Sequence, residues 1–238
     1  MIVIHGKHEC CGCSACVQKC PRHCITLDED EEGFLYPKVD MTACIDCGLC
    51  EHVCPWLNCS GKLQPIEVLA AKNRNEEERM DSSSGGVFIA LAREVICRGG
   101  VVFGAVFDEN WEVRHTYAET LKDVRPMMGS KYVQSRVGKS YRDAERFLKD
   151  GREVLFVGTP CQVAGLHGFL HKDYPNLLSV DVLCHGVPSP GVWRRYLNET
   201  FYSARRVSAG KDTVLSCSLS PMPVIKGIGF RDKRMTGW

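Results

Sequence analysis

Eight of the fifteen cysteines fall into two copies of one rhythm. The first is Cys10-x2-Cys13-x2-Cys16-x3-Cys20-Pro21, and the second is Cys44-x2-Cys47-x2-Cys50-x3-Cys54-Pro55. Three closely spaced thiolates on one loop can wrap three corners of a four-iron cube, and the fourth ligand then comes from the other run. The spacing therefore predicts two 4Fe–4S clusters that cross-brace the segment between them. Cys10, Cys13, Cys16 and Cys54 are expected on one, and Cys44, Cys47, Cys50 and Cys20 on the other. The chemistry of such centres is single-electron transfer.

Two other uses of cysteine fit less well. A disulfide framework belongs to secreted chains, and Ile2-Val3-Ile4 before His5 is too short for a signal h-region. Zinc sites account for paired Cys-x2-Cys knuckles, but not for four cysteines ending in Cys-Pro, twice. Cys11, Cys24 and Cys59 stand outside the rhythm. Cys11 offers a register slip, yet Cys10 is the one that keeps the x2 spacing to Cys13. Cys24 could replace Cys20 by spacing; Pro21 favours Cys20.

The elements that must hold these residues divide the 238-residue chain. Residues 1–62 read as an internal repeat of cysteine loop, short helical turn and extended segment, an α+β ferredoxin-like module held by metal more than by an apolar core. Ile25–Leu27 and Phe34–Val39 read as strands, joined by the acidic turn Asp28–Gly33. That turn reads as a solvated loop, with partner docking the lesser reading. Ser60–Pro65 reads as a linker. Residues 63–238 are long enough to bury their own core. Strands are expected at Glu67–Lys72, Gly100–Phe107, Trp111–Tyr117, Glu153–Val157 and Leu177–Leu183. Helices are expected at Gly86–Arg98, Lys139–Lys149, Gln162–Phe169 and Val192–Tyr202, the first burying Val87, Leu91 and Val95 beside Ala90. This alternation argues for an α/β sheet covered by helices, with its strand order open.

Lysine plus arginine total 30 and aspartate plus glutamate 29, a net charge of +1. The charges are interspersed, which gives no footprint for nucleic acid. No apolar run approaches the ~18 residues of a membrane span. Iron–sulfur clusters and many free thiols require a reducing compartment, so a cytoplasmic location is expected.

Four motifs of the second part resemble the beta subunit of coenzyme F420 hydrogenases and dehydrogenases. They are Ser82-Ser83-Ser84-Gly85-Gly86-Val87-Phe88, Gly129-Ser130-Lys131-Tyr132-Val133-Gln134-Ser135, Gly158-Thr159-Pro160-Cys161-Gln162 with Gly165-Leu166, and Cys184-His185-Gly186-Val187-Pro188-Ser189. Phe230-Arg231-Asp232-Lys233 and Gly237-Trp238 match as well. The resemblance covers nearly the whole chain, including the N-terminal ferredoxin module that many bacterial relatives carry. It implies that the α/β part is a flavin domain that binds FAD and exchanges electrons between the deazaflavin coenzyme F420 and iron–sulfur clusters. A flavin takes a hydride pair and passes on single electrons. Family members run well past the position of Trp238, so the flavin domain is expected to be incomplete at its C-terminus. The coupled donor is open too, because many bacteria with relatives of this architecture do not obviously make the deazaflavin.

Several residues acquire candidate roles. Ser83, Ser84, Gly85 and Gly86 open a helix whose free N–H groups can hold a pyrophosphate; a plain serine N-cap is the alternative. No GxGxxG follows a strand, which argues against a Rossmann-type FAD site. Lys131 could offset flavin or substrate charge and Tyr132 could stack on a ring, against a surface lysine and a core tyrosine. Cys161, between a strand break and a helix, is placed for a low-pKa thiolate. The family carries a further cluster in its flavin domain, for which Cys161 and Cys184 are candidate ligands, with a Cys-x2-Cys pair beyond this sequence; two buried apolar cysteines are the alternative. His185 could move a proton near the flavin or cap a turn. Cys97 and Cys217 read as ordinary buried residues. The expected function is an iron–sulfur flavoprotein relay working with a redox partner protein or subunit. Its rivals are a non-catalytic electron-transfer adaptor and a fragment that folds only at its N-terminal module.

Overall fold

The computed structural model describes residues 1–58 and 65–202. Most of the linker, together with Cys59, Cys217 and the Phe230–Lys233 and Gly237-Trp238 motifs, lies outside these residues. The cysteine-rich part holds α1 (Ala15–Lys19), the strands β1 (Ile25–Glu29) and β2 (Leu35–Val39), and α2 (Leu49–His52). β1 and β2 pair antiparallel, Ile25 opposite Val39. Beyond it come α3 (Glu76–Met80), α4 (Val87–Cys97), β3 (Val101–Phe107), β4 (Val113–Ala118), α5 (Leu121–Val124), α6 (Ser140–Lys149), β5 (Val154–Gly158), α7 (Pro160–Leu170), β6 (Leu177–Asp181) and α8 (Pro190–Leu197). A π-helical turn, Asn198–Tyr202, follows α8.

The sheet order is β4-β3-β5-β6. β4 runs antiparallel to β3, whereas β3, β5 and β6 are parallel, so the sheet is mixed. Its two faces follow the period-two rule of a strand. Val101, Phe103, Val154 and Phe156 point to one core, and Val102, Val106 and Leu155 to the other. α4 covers the second core with Ile89, Ala92 and Val95. α6 and α7 cover the first with Tyr141, Phe147, Leu166 and Phe169.

That first core does not stop at α6 and α7. Ile2, Cys13, Cys16, Ile25, Cys50 and Val53 belong to it. The cysteine module is thus packed on the α/β part and shares its apolar core, where the sequence expectation relied on metal. Polar contacts fix the docking. Gln18 on α1 accepts from the backbone N–H groups of Tyr141 (3.0 Å) and Arg142 (3.3 Å) through Oε1. α6 has no side-chain cap from its own N-cap residue, Lys139, so Gln18 supplies the acceptor its first turn lacks. Arg142 Nε returns a bond to the Gln18 carbonyl at 2.8 Å, and Lys19 donates to the Phe169 carbonyl at 2.8 Å.

The acidic turn is solvated as expected, with Asp28, Glu29, Glu31 and Glu32 exposed, and it is also held by contacts within the chain. Glu29 pairs with both Arg136 and Arg194, which also face Glu112. Asp30 pairs with Lys7, and the Glu32 carbonyl accepts from Ser189 Oγ and Gly191 N. Three expectations are corrected. Glu67–Lys72 pairs with no described strand: Val68 and Leu69 are 84% and 74% exposed, and the segment runs on to pass over Gly85, with Asn73 N donating to the Gly85 carbonyl. Val87 is 43% exposed, and Ile89 and Ala92 take the core face instead. Trp111 sits in the β3–β4 turn with φ +61°, ahead of β4. Among the described residues no helix is long and apolar enough to cross a membrane.

Candidate iron–sulfur centres and cofactor loops

The sequence repeat is a repeat of conformation. In the first run the residues flanking the second cysteine, Gly12 and Ser14, both have φ +66°. In the second run Asp46 and Gly48 do the same, with φ +50° and +71°. Left-handed residues at these points turn backbone N–H groups into the concavity of the loop, an arrangement found at anion and iron–sulfur sites. Gly12 N donates to Cys10 Sγ and Asp46 N to Cys44 Sγ, each at 3.4 Å. Ser14 and Gly48 are also the N-caps of α1 and α2, so Cys16 and Cys50 ride on the first turns of equivalent helices.

The cysteines collect around two voids. Cys10, Cys13, Cys16 and Cys54, with Cys11 and Pro55, line the first, a space of about 530 Å³ open to solvent. Cys20, Cys44, Cys47 and Cys50, with Cys24 and Pro21, line the second, of about 350 Å³. The fourth cysteine of each run has crossed to the site of the other. Among the described residues no three His, Cys, Asp or Glu side chains converge as a single ion demands; these thiols surround a void, as the corners of a four-iron cube would require. Burial raises the Cys10 thiol and pushes Cys16 up to about 12, with neighbouring cysteines adding to the rise. Ile2 N donates to Cys50 Sγ at 3.2 Å. Such N–H···S bonds favour the thiolate and tune the potential of a bound cluster. The donor set and the cradle both fit the group.

The cofactor motifs come together in part. Ser130 N donates to Ser83 Oγ at 2.8 Å, joining the serine loop to the Gly129–Ser135 loop. Gly86, with φ +71°, is the N-cap of the eleven-residue helix α4 and brings no side-chain cap; it is buried, whereas Ser83 and Ser84 before it are exposed. Tyr132 is 74% exposed. The glycines have another duty as well: a Cβ at Gly85 would lie 2.8 Å from the Ala71 carbonyl. Lys131 Nζ donates to the carbonyls of Pro126 and Met128, both at 2.8 Å, and burial lowers its pKa to about 8. Gln134 donates nothing to this loop; its Oε1 accepts from Leu35 N at 3.3 Å in the cysteine module.

The third motif is knitted to the second by a buried chain. Gln162 Nε2 donates to Ser135 Oγ (2.7 Å), which bonds His115 Nδ1 (2.9 Å), while His115 Nε2 bonds the Val157 carbonyl (3.1 Å). The carbonyl acceptor makes Nε2 the protonated nitrogen, so Ser135 donates to Nδ1. Burial lowers the His115 pKa to about 4. His115 and Gln18 carried no signal in the sequence. Cys161 does not meet its expectation of an acidified thiol: contact with the Cys11 thiol, then burial, pushes its pKa up. Its Sγ lies 3.1 Å from Thr159 Oγ1. Cys184 and His185 are exposed in the loop after β6, with Gly186 N donating to Cys184 Sγ at 3.4 Å. Cys161 and Cys184 therefore follow the carboxyl ends of adjacent parallel strands, where α/β sheets bind ligands. Cys97, expected buried, is exposed.

Comparisons with known proteins divide along the same lines. Residues 9–58 match the family model of a 4Fe–4S dicluster domain. Residues 151–209 match the model for the C terminus of the beta subunit of coenzyme F420 hydrogenase/dehydrogenase. The F subunit of the F(420)H(2) dehydrogenase of Methanosarcina mazei is 26% identical over 166 residues, 66% of this chain and 47% of that protein. An NADH-quinone oxidoreductase protein of Geobacter metallireducens, the second of its I-type subunits, is 41% identical over 58 residues, 22% of this chain and 44% of that one. A chain of the F420-reducing nickel–iron hydrogenase complex from Methanosarcina barkeri aligns with TM-score 0.44 and 19% identity, over 54% of this chain and 47% of that chain. The chain spans about half the length of these relatives.

Proposed function

We propose that this chain, which belongs with the beta subunits of coenzyme F420 hydrogenases and dehydrogenases and carries an N-terminal 4Fe–4S dicluster domain, is an electron-transfer oxidoreductase subunit. The observation that carries the reading is the crossed pair of four-thiol cages. Cys10, Cys13, Cys16 and Cys54 would hold one cluster, and Cys20, Cys44, Cys47 and Cys50 the other. The clusters supply one-electron capacity when bound. The chain's own part is to fix the thiols, donate N–H groups to sulfur and shield the buried members from water. Exposed Cys11, Cys47, Cys97 and Cys184 suit a reducing compartment such as the cytoplasm. A partner subunit or redox protein would exchange the electrons.

The finer reading adds FAD and a hydride carrier of the coenzyme F420 type. Its support is the N-terminus of α4, without a side-chain cap and next to Ser83 and Ser84, suited to a pyrophosphate, and the exposed ring of Tyr132, suited to stacking. Bound flavin would supply the conversion between a hydride pair and single electrons. Lys131 would act as a spacer of the loop and a weak positive charge, since two carbonyls already hold its ammonium. Those bonds, and the segment lying on Gly85, favour the second reading: an adaptor that carries clusters and no flavin.

Anaerobic purification with iron, sulfide and flavin quantification separates these readings. About eight irons with one flavin supports the relay. About eight irons without flavin supports the adaptor. Stoichiometric zinc with little iron refutes both.

A further inference from the structure

Both cysteine cages are lined by the cysteine module alone, the first by residues between Ile2 and Leu57 and the second by residues between Met1 and Cys50. Behind that lining, the α/β part touches a ligand residue of the first directly. Tyr141 on α6 is fully buried and sets its Oη 2.9 Å from the Cys13 carbonyl and 2.9 Å from the Gln162 carbonyl. Burial holds its phenol well above the ordinary pKa, which keeps it a donor. On α7, a Cβ at Gly165 would stand 2.9 Å from that hydroxyl and 3.2 Å from both Cβ and Sγ of Cys13. One turn on, a Cβ at Gly168 would lie 2.7 Å from the carbonyl of Val53, the residue before Cys54. Positions three apart share a helix face. The glycine face of α7 thus admits the two segments that bring Cys13 and Cys54 to the first cage.

We propose that Tyr141 is a positioning residue for Cys13, and that with Gly165 it makes α6 and α7 the backing against which this ligand of the first cage is held. This rests on the reading that both cages hold 4Fe–4S clusters. Hydrogen bonding around the sulfurs and exclusion of water set cluster potentials, so the two centres are inequivalent. The α/β part touches a ligand residue of the one at Cys10, Cys13, Cys16 and Cys54 directly, whereas toward the other it bonds Gln18, Lys19 and His23, which flank Cys20.

The test uses Tyr141→Phe in the full chain, purified anaerobically, with Gly165→Ala as a second variant. Potentiometric titration followed by electron paramagnetic resonance reads each centre. Amide hydrogen exchange reads residues 10–20 against residues 44–50. Both variants are expected to keep wild-type iron and to shift the midpoint and line shape of one centre while the other stays put. Exchange in 10–20 is expected to rise about tenfold, the scale set by one lost buried hydrogen bond, with 44–50 unchanged. Equal shifts of both centres, or of neither, with equal exchange in both segments, would overturn the proposal. If the wild type binds no clusters, the relay reading fails separately, and the exchange comparison on the iron-free chain still decides the role of Tyr141.

Discussion

Acid should loosen the sheet through one residue, His115. It is 7% exposed, stacked on Phe156 with ring centroids 5.6 Å apart, and bonded to the Ser135 hydroxyl and the Val157 carbonyl. These neighbours are neutral, and the Val157 carbonyl offsets only part of the cost of a buried positive charge. Burial places its folded pKa at about 4, below the ordinary 6.5. The unfolded chain therefore binds more protons between those values, and stability present above pH 6.5 is lost as pH falls toward 4. Between pH 7 and pH 5 the linkage integral amounts to about 1.8 kcal/mol, or about twentyfold in an opening equilibrium. His115→Gln keeps an amide able to serve both partners and removes the titration. Amide exchange of β3, β4 and β5 at the two pH values, compared between wild type and variant, cancels acid effects on the cysteine cages. Wild-type protection should fall about twentyfold more than that of the variant. Parallel losses would refute the assignment of His115 as a neutral, buried member of the Gln162–Ser135 chain.

Other perturbations probe other parts. Cys16→Ser and Cys50→Ser should each remove about four irons per chain while the remaining centre stays visible by electron paramagnetic resonance; loss of all iron in both would show that the cages are not separate. Where flavin copurifies with the wild type, Tyr132→Ala should lower its occupancy at unchanged iron, as read by the flavin-to-iron absorbance ratio, and an unchanged ratio would remove Tyr132 from the cofactor site. Gly168→Ala gains about 1 kcal/mol of helix propensity but forces a methyl against the Val53 carbonyl, so a net loss of about 1–2 kcal/mol is expected; faster exchange over residues 49–58 would register it, and slower exchange would contradict the packing.

The cysteine cages were the most legible part of the molecule because their ligands are local. Spacing within one loop decides which thiols can share a cube, and the same φ values at Gly12 and Asp46, and at Ser14 and Gly48, follow from that spacing. β3 and β5 were legible as short apolar runs. The buried face of α4 was not, because Val87, Phe88, Ile89, Ala90, Leu91 and Ala92 make its first turns apolar all round and periodicity has nothing to select. Glu67–Lys72 has strand composition but pairs with no described strand, and the chain after it bonds Gly85 instead. The contacts of Tyr141 with Cys13 and of Gln18 with Arg142 span 128 and 124 residues. No local pattern announces a tyrosine whose partner is a carbonyl on a distant cysteine loop.

The cap that Gln18 places on α6 bears on how such chains can be recombined. An iron–sulfur segment grafted from another protein could reproduce all eight thiols and both left-handed turns, yet still fail in this setting. Unless position 18 offered an acceptor of the same reach, the graft would leave the Tyr141 and Arg142 amides without it. Shuffling of redox modules among subunits is limited here by a side chain that ligates nothing: interchangeability is decided at the seam, by a glutamine between two cysteines, and not by the metal chemistry it stands beside.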